Sequence, residues 1–386
     1  MRIVHVADLH QGLLTHSWPD PATGIPSRLL DVARCWHAAC EQAVLRQADT
    51  VIVAGDVFHT RNPDALALKL FDDGLRLLEA ERIPAVIIPG NHDGATHPGQ
   101  PSVLEVFRSD LVRVATKPEV VHAGDVAVAC LPWVTRAQLL SSYPGISRAE
   151  AVQRQVEGLE RILDDLRAKG ADVLTGHWSV QGAVLGSEAD IAIVGEGEAV
   201  LPQASLEGPW PYAAFGHIHG SQTGAVGNTL WAYSGSVDRM NFGEENDDKS
   251  AWDILIADGG VKSIVKIGLP ARRFVTIDGA NLANDELAAL AGGVDGAIVR
   301  VRVRMHEDHA HQLDRGRLDS ELRADGAAQV LIQVDVERST RARAERVTSS
   351  LGLEESIAEW FEAAGVDETD RPALRDMAKQ LVEEVS

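Results

Sequence analysis

Five short blocks of this chain carry residues able to hold a pair of cations: Asp8-Leu-His10, Gly55-Asp56, Gly90-Asn91-His92-Asp93, Gly176-His177 and Gly216-His217-Ile218-His219. In an extended chain, alternation would put Asp8 and His10 on one side, where a carboxylate and an imidazole can converge on one ion. An aspartate after a tight glycine turn, such as Asp56, can bridge two ions because each oxygen can serve a different one. Asn91 offers a neutral oxygen ligand. His92, its neighbour, can act as acid or base without sitting on a metal. His217 and His219 present two imidazoles to one place. Taken singly, each block could be an ordinary turn. Five in order, each closing a short apolar run, point to one dinuclear site.

Those runs are the elements that position the blocks. β-branched stretches predict strands at Ile3–Ala7, Thr50–Ala54, Ala85–Ile88, Val112–Ala115, Val126–Leu131, Val173–Thr175, Ala213–Phe215 and Leu230–Tyr233. Apolar residues recurring at three and four predict helices over Arg28–Arg46, Ala65–Ala80 and Arg148–Lys169. Strands alternating with helices favour a layered α/β core whose sheet ends carry the functional loops. A meander through Val261–Ile267 leads to a boundary near Leu269-Pro270. Beyond it, strands at Phe274–Ile277, Ala297–Met305 and Gln329–Val336, with helices near Asp285–Ala291 and Arg317–Ala324, read as a small α+β domain. The tail from Leu351 has ten acidic residues against three basic ones. Its apolar stripes, including Trp360, Phe361 and Leu381, suit two short helices. Those side chains could pack on the chain's own core or meet a partner.

The bulk composition is that of a globular protein, except in charge. At 386 residues and 45% apolar, the chain can bury more than one core. Its net charge of −21 repels phosphodiester backbones at long range, so charge alone argues against nucleic acid. Cys35, Cys40 and Cys130 form no CxxC pair and read as reduced thiols of a cytoplasmic protein. The first ten residues read as a strand rather than a signal peptide, and no apolar run is long enough for a membrane span. The cluster His306, His309, His311 misses the HExxH spacing and reads as a polar loop.

The blocks resemble, in order, the D-x-H, G-D, G-N-H-D, G-H and G-H-x-H pattern of the calcineurin-like metallophosphoesterase superfamily, over residues 1 to about 268. The resemblance implies an α/β sandwich of two central β-sheets flanked by helices. It implies one metal held by Asp8, His10, Asp56 and His219, and a second by Asp56, Asn91, His177 and His217, with Asp56 bridging. A mixed nitrogen and oxygen set without cysteine suits Mn²⁺, with Fe or Zn open. His92 would then serve the leaving group as proton donor or charge stabiliser. Asp93 would orient His92 or cap the following turn.

Within the superfamily, Gly55-Asp56-Val-Phe-His59-Thr-Arg, the G-H-x-x-x-x-G form at Gly176 and the stretch Tyr233 to Glu244 (Y-x-G-S-x-x-R-x-x-F-G-E) resemble the SbcD family. Those are nuclease subunits working with an SMC-like ATPase, SbcC, at DNA breaks. This implies a metal-dependent DNA exonuclease and endonuclease, with His59 as a second catalytic histidine. It also implies three parts: a nuclease domain over 1–268, a capping DNA-binding domain over 269–340, and C-terminal helices over 341–386 that dock on the ATPase. A homodimer is expected on the same ground. Arg61, Arg136, Arg239, Arg272, Arg273 or the run Arg300, Arg302, Arg304 could face DNA. The rival readings are a stand-alone small-molecule or cyclic-nucleotide phosphodiesterase and a non-catalytic scaffold for the ATPase.

Overall fold

The computed structural model describes residues 1–95, 100–135, 147–185, 199–280, 282–289, 292–306, 313–337 and 352–385. Its first sheet is built on parallel strands β1 (Arg2–Val6), β2 (Thr50–Ala54), β3 (Ala85–Ile88) and β4 (Val112–Val114). The hairpin β11 (Ser250–Ala257) and β12 (Gly260–Gly268) adds to β1 antiparallel, giving the order β12-β11-β1-β2-β3-β4. The second sheet runs β5-β6-β7-β8-β10-β9. Its parallel core is β6 (Val126–Leu131), β7 (Val173–His177), β8 (Tyr212–Gly216) and β10 (Thr229–Tyr233). Antiparallel edges β5 (Glu119–Ala123) and β9 (Gln222–Val226) complete it.

Burial explains the layering. Strands β1 to β3 are buried on both sides and mostly apolar, as strands covered on two faces are. One face of the first sheet, through Val4, Val51 and Ile87, meets Trp36 of helix α1 (Ser27–Leu45) and Phe71 of α2 (Ala65–Ala80). The other face, through Ile3, Ile52 and Ile88, meets Val128, Val173 and Ala214 of the second sheet. The second sheet's outer face, through Leu174 and Phe215, is covered by Leu159 and Leu163 of α3 (Arg148–Lys169). This is the two-sheet sandwich flanked by helices that the sequence resemblance implied.

Compact packing divides the chain into two units. The first takes in 1–276, 292–300 and 322–331, and the second 277–291, 301–321 and 332–386. A third sheet has the order β13 (Phe274–Ala280), β14 (Ile298–His306), β15 (Gln329–Glu337). Short helices α4 (Asn284–Ala289) and α5 (Arg315–Ala324) accompany it. Ile277, Val301, Val303 and Met305, with Leu287 and Leu318, are buried in the second unit. Helices α6 (Leu353–Ala363) and α7 (Arg371–Val385) follow; Phe361 is 2% exposed and Trp360 50%. The expected boundary at 340/341, and His309 and His311, lie outside the described residues.

Candidate metal centre

The five blocks meet at one end of the sandwich because each lies at the end of a parallel strand or just after it. Strand β1 ends at Val6, and Asp8 and His10 then take left-handed φ values of +52° and +49°. The extended alternation expected there is therefore corrected. Asp56 (φ +49°) and His217 (φ +99°) are left-handed too. Non-glycine residues enter this region at a cost of about 1–3 kcal/mol each, so neighbouring structure must impose it. It does: the amides of Asp8, His10 and Gln11 donate to the carbonyls of Gly55 (3.0 Å), Asp56 (2.9 Å) and Val57 (2.8 Å). Gly55 and Gly90 are required for close approach. A Cβ on Gly55 would run into His177, and one on Gly90 into Asp56.

The expected ligands converge. His10 Nε2 lies 3.2 Å from His219 Nε2 and 3.6 Å from Asp56 Oδ2. His177 Nε2 lies 3.4 Å from Asp56 Oδ2, and both His177 Nε2 and His217 Nδ1 lie 3.1 Å from Asn91 Oδ1. Asp8, His10 and His219 form one cluster of donor atoms within 4.8 Å of one another, and Asp8, Asp56 and His177 another. Asp8 also accepts the His217 amide at 2.9 Å and 3.0 Å, and Asp56 the His92 amide at 2.9 Å. His177 donates from Nδ1 to the Ala54 carbonyl at 2.7 Å, which turns Nε2 toward the cluster. His219 donates from Nδ1 to Glu244 Oε1 at 2.8 Å, with the same result. These lone pairs facing one another fit a pair of divalent ions, and the donor set of imidazole, carboxylate and amide oxygen is that of first-row metals.

The electrostatics of the site turn on Asp56 and the imidazoles around it. Burial opposes ionisation of Asp56, but contact with His177, and then His10, holds its carboxyl far below the usual range. Burial works against protonating His177, yet Asp56 and then Asp8 push its pKa up to about 9. Burial raises the Asp8 carboxyl, with His177 and His219 pulling against it. His10 is driven well below its ordinary value by burial, with Asp56 pulling against it.

His92 and His59 sit at the half-buried rim. Their rings stack at 5.3 Å, and His10 meets His92 edge-on at 4.8 Å. His92 donates from Nδ1 to the His59 carbonyl at 2.9 Å. That carbonyl, rather than the Asp93 carboxylate, orients the ring. Asp93 instead accepts from the amides of Val57 (2.6 Å), Phe58 (3.2 Å) and Gly90 (2.7 Å), and so ties two strand-end loops together. Burial, then the Asp56 charge, raises its pKa.

The profile of the calcineurin-like phosphoesterase family matches residues 1–221. The chain belongs to that family. Divalent metals are the family's cofactors, so this calcineurin-like phosphoesterase is read as a metal-dependent hydrolase. It is 25% identical over 256 residues to the SbcD component of the SbcCD nuclease of Staphylococcus epidermidis, an alignment covering 64% of each chain. It thus spans just under two thirds of that relative. Among solved structures it is similar to a dimetal phosphatase from Danio rerio, with TM-score 0.38 and 11% identity over 70% of this chain and 99% of that one. A phosphopantetheinyl hydrolase from Mycobacterium tuberculosis gives TM-score 0.32 and 14% identity over 61% and 89%.

The Tyr233 to Glu244 stretch reads in the sequence as a resemblance to the SbcD family but not as a set of jobs. Tyr233 donates to the Trp178 carbonyl at 2.6 Å. Asp238 accepts from buried Arg28 at 2.7 Å, and Arg239 donates to the carbonyls of Glu245, Asp247 and Arg272. Glu244 reaches a candidate ligand, and only its place after Phe-Gly could have suggested it. Among the described residues, the arginines expected to face DNA have partners within the chain. Arg61 holds the carbonyls of Asn91 and Gly94, Arg272 pairs with Asp31, and Arg273 donates to the carbonyls of Gly293 and Asp295. Arg300 lies over the Phe242 ring, Arg302 pairs with Asp278, and Arg304 with Glu337. Arg136 lies outside the described residues. Among the described residues, no helix is long and apolar enough to cross a membrane.

Proposed function

We propose that this chain is a Mn²⁺-dependent DNA nuclease subunit, hydrolysing phosphodiester bonds in double-strand-break or DNA-end processing beside an SMC-like ATPase. The observation that carries the reading is the convergence of Asp8, His10, Asp56, Asn91, His177, His217 and His219, with His92 at the rim. Asp8, His10, Asp56 and His219 would hold one ion, and Asp56, Asn91, His177 and His217 the other. Once bound, the ions supply charge for the phosphoryl oxygens and acidify a water. His92 supplies the proton. With Nδ1–H given to the His59 carbonyl, the imidazolium carries its second proton on Nε2 and releases it to the leaving alkoxide. His59, stacked on that ring, would be the second catalytic histidine beside the scissile phosphate.

The choice of DNA is supported by the Staphylococcus epidermidis relative, which is a nuclease component by name, and by the Tyr233 to Glu244 stretch. On the same ground residues 269–340 would cap the DNA, helices in 341–386 would dock on an SbcC-type ATPase, and the chain would work as a homodimer in the cytoplasm. The test is cleavage of single- and double-stranded DNA with Mn²⁺, alone and with the ATPase. We expect ends or hairpins to be cut, and cutting to stop with His92→Ala. Intact DNA in every condition sinks the reading.

One observation favours a second reading, a phosphodiesterase for small esters. The described arginines that the sequence offers to DNA each hold a partner within the chain, some of them in exposed pairs, and the net charge is −21. Turnover of bis-p-nitrophenyl phosphate or a cyclic nucleotide far above any DNA cleavage would decide for it.

A further inference from the structure

We propose that Glu244, clamped by Lys249, is the positioning residue for His219 and so controls the binding of one of the two metals. This rests on the dinuclear reading above and adds two residues that the block pattern does not contain.

Glu244 closes a short 3-10 turn, Phe242–Glu244, and is 1% exposed. Each of its oxygens has a separate task. Oε1 accepts from His219 Nδ1 at 2.8 Å. Oε2 pairs with Lys249 Nζ at 2.6 Å, and also accepts from the Met240 amide (3.0 Å) and the Ser236 hydroxyl (3.2 Å). With Oε2 held from three sides, the carboxylate cannot swing into the metal cluster as a ligand. What remains for Oε1 is to fix the imidazole, with the proton on Nδ1 and the lone pair on Nε2, the nitrogen that faces His10.

Lys249 grips the same histidine from behind. Its side chain is 1% exposed, and Nζ donates to the His219 carbonyl (3.3 Å), to Ser236 Oγ (2.8 Å) and to Asp247 Oδ2 (3.0 Å). Both the ring and the backbone of His219 are thereby tied to one ion pair. A buried ion pair adds little net stability over apolar side chains of the same size, so stability alone does not account for this one. Orientation of a metal-bound imidazole by a carboxylate does. Loss of such a partner costs about 10- to 100-fold in metal affinity. The inference gives the Phe-Gly-Glu end of the Tyr233 to Glu244 stretch a task.

The test is calorimetric titration of the full chain with Mn²⁺ after chelator treatment, with metal-free melting recorded alongside. We expect two ions on the parent. Glu244→Gln should weaken one of them about 10- to 100-fold and leave the other nearly unchanged, and Lys249→Met should shift the same ion in the same direction. A folded Glu244→Gln chain that binds both ions as the parent does overturns this inference alone. A parent that binds no Mn²⁺ overturns the dinuclear reading itself. A measurement on the parent, independent of how the variants fold, is the ¹⁵N spectrum of labelled histidine with Zn²⁺. We expect His219 Nδ1 to keep its proton when Zn²⁺ is added. Loss of that proton, with metal on Nδ1, refutes the inference.

Discussion

The Asp93 carboxylate accepts the Val57 amide at 2.6 Å through one oxygen and the Gly90 amide at 2.7 Å through the other. One side chain therefore joins the loop that carries Asp56 to the loop that carries Asn91 and His92. Backbone distortion at Asp56 is sustained by ties of this kind.

Asp93→Asn should therefore do two things. Its amide nitrogen meets a backbone N–H where an oxygen stood, which leaves a buried donor unsatisfied and costs about 1–3 kcal/mol. Urea unfolding in chelator reads that loss. The second effect is on kcat, because His92 and Asp56 sit on the loosened loops. An unfolding midpoint and a kcat both equal to the parent's would refute the tie.

His92→Ala should cost roughly 10²- to 10⁴-fold in turnover of an ester with a poor leaving group, the usual worth of a general acid. An ester of p-nitrophenol needs little protonation of its leaving group and should lose far less. Mn²⁺ affinity should hardly change, since His92 is not among the proposed ligands. Equal losses on both esters would remove His92 from the proton-donor role.

Much of the fold was legible because its parallel strands are continuous apolar runs. Thr50–Ala54, Ala85–Ile88 and Val126–Leu131 appear with the expected bounds. The edge strands β5 and β9 were missed. Glu119–Ala123 is only partly buried and Gln222–Val226 carries a glycine, so neither shows the alternation that marks a strand. At the site, residue types and order brought the right residues together. The left-handed backbone at Asp8 and His10 was illegible, because it is imposed by hydrogen bonds from their amides to the carbonyls of Gly55 and Asp56, 46 to 47 positions away. The tasks of Asp93 and Glu244 were hidden for the same reason: their partners are set by the packing of loops from different strands.

Asp56→Ala should remove both ions rather than one, since Asp56 Oδ2 lies 3.4 Å from His177 Nε2 and 3.6 Å from His10 Nε2. In the parent, Mn²⁺ at a hundred times its dissociation constant should add about 2.7 kcal/mol per site to stability, and chelator should remove it. Melting with and without Mn²⁺ checks this. A variant still stabilised by Mn²⁺ as strongly as the parent would show that Asp56 does not bridge.

Stability should fall in acid partly through His5, which is far from solvent on β1 and contacts the Tyr212 hydroxyl at 2.8 Å through Nδ1. Burial lowers its pKa from 6.5 to about 3. Above pH 6.5 the imidazole is neutral in both folded and unfolded chains and contributes no pH dependence. Between pH 6.5 and about 3 the unfolded chain binds a proton that the folded chain refuses, so stability drops as pH falls. From pH 6.5 to 4.5 the loss from this one group is about 2–3 kcal/mol. His5→Leu should be less stable at pH 7, because the Tyr212 hydroxyl loses its partner, yet it should lose less on acidification. Urea midpoints of parent and variant at pH 7 and pH 4.5, in chelator, give the comparison. Parallel losses in the two chains would assign the acid sensitivity to other groups.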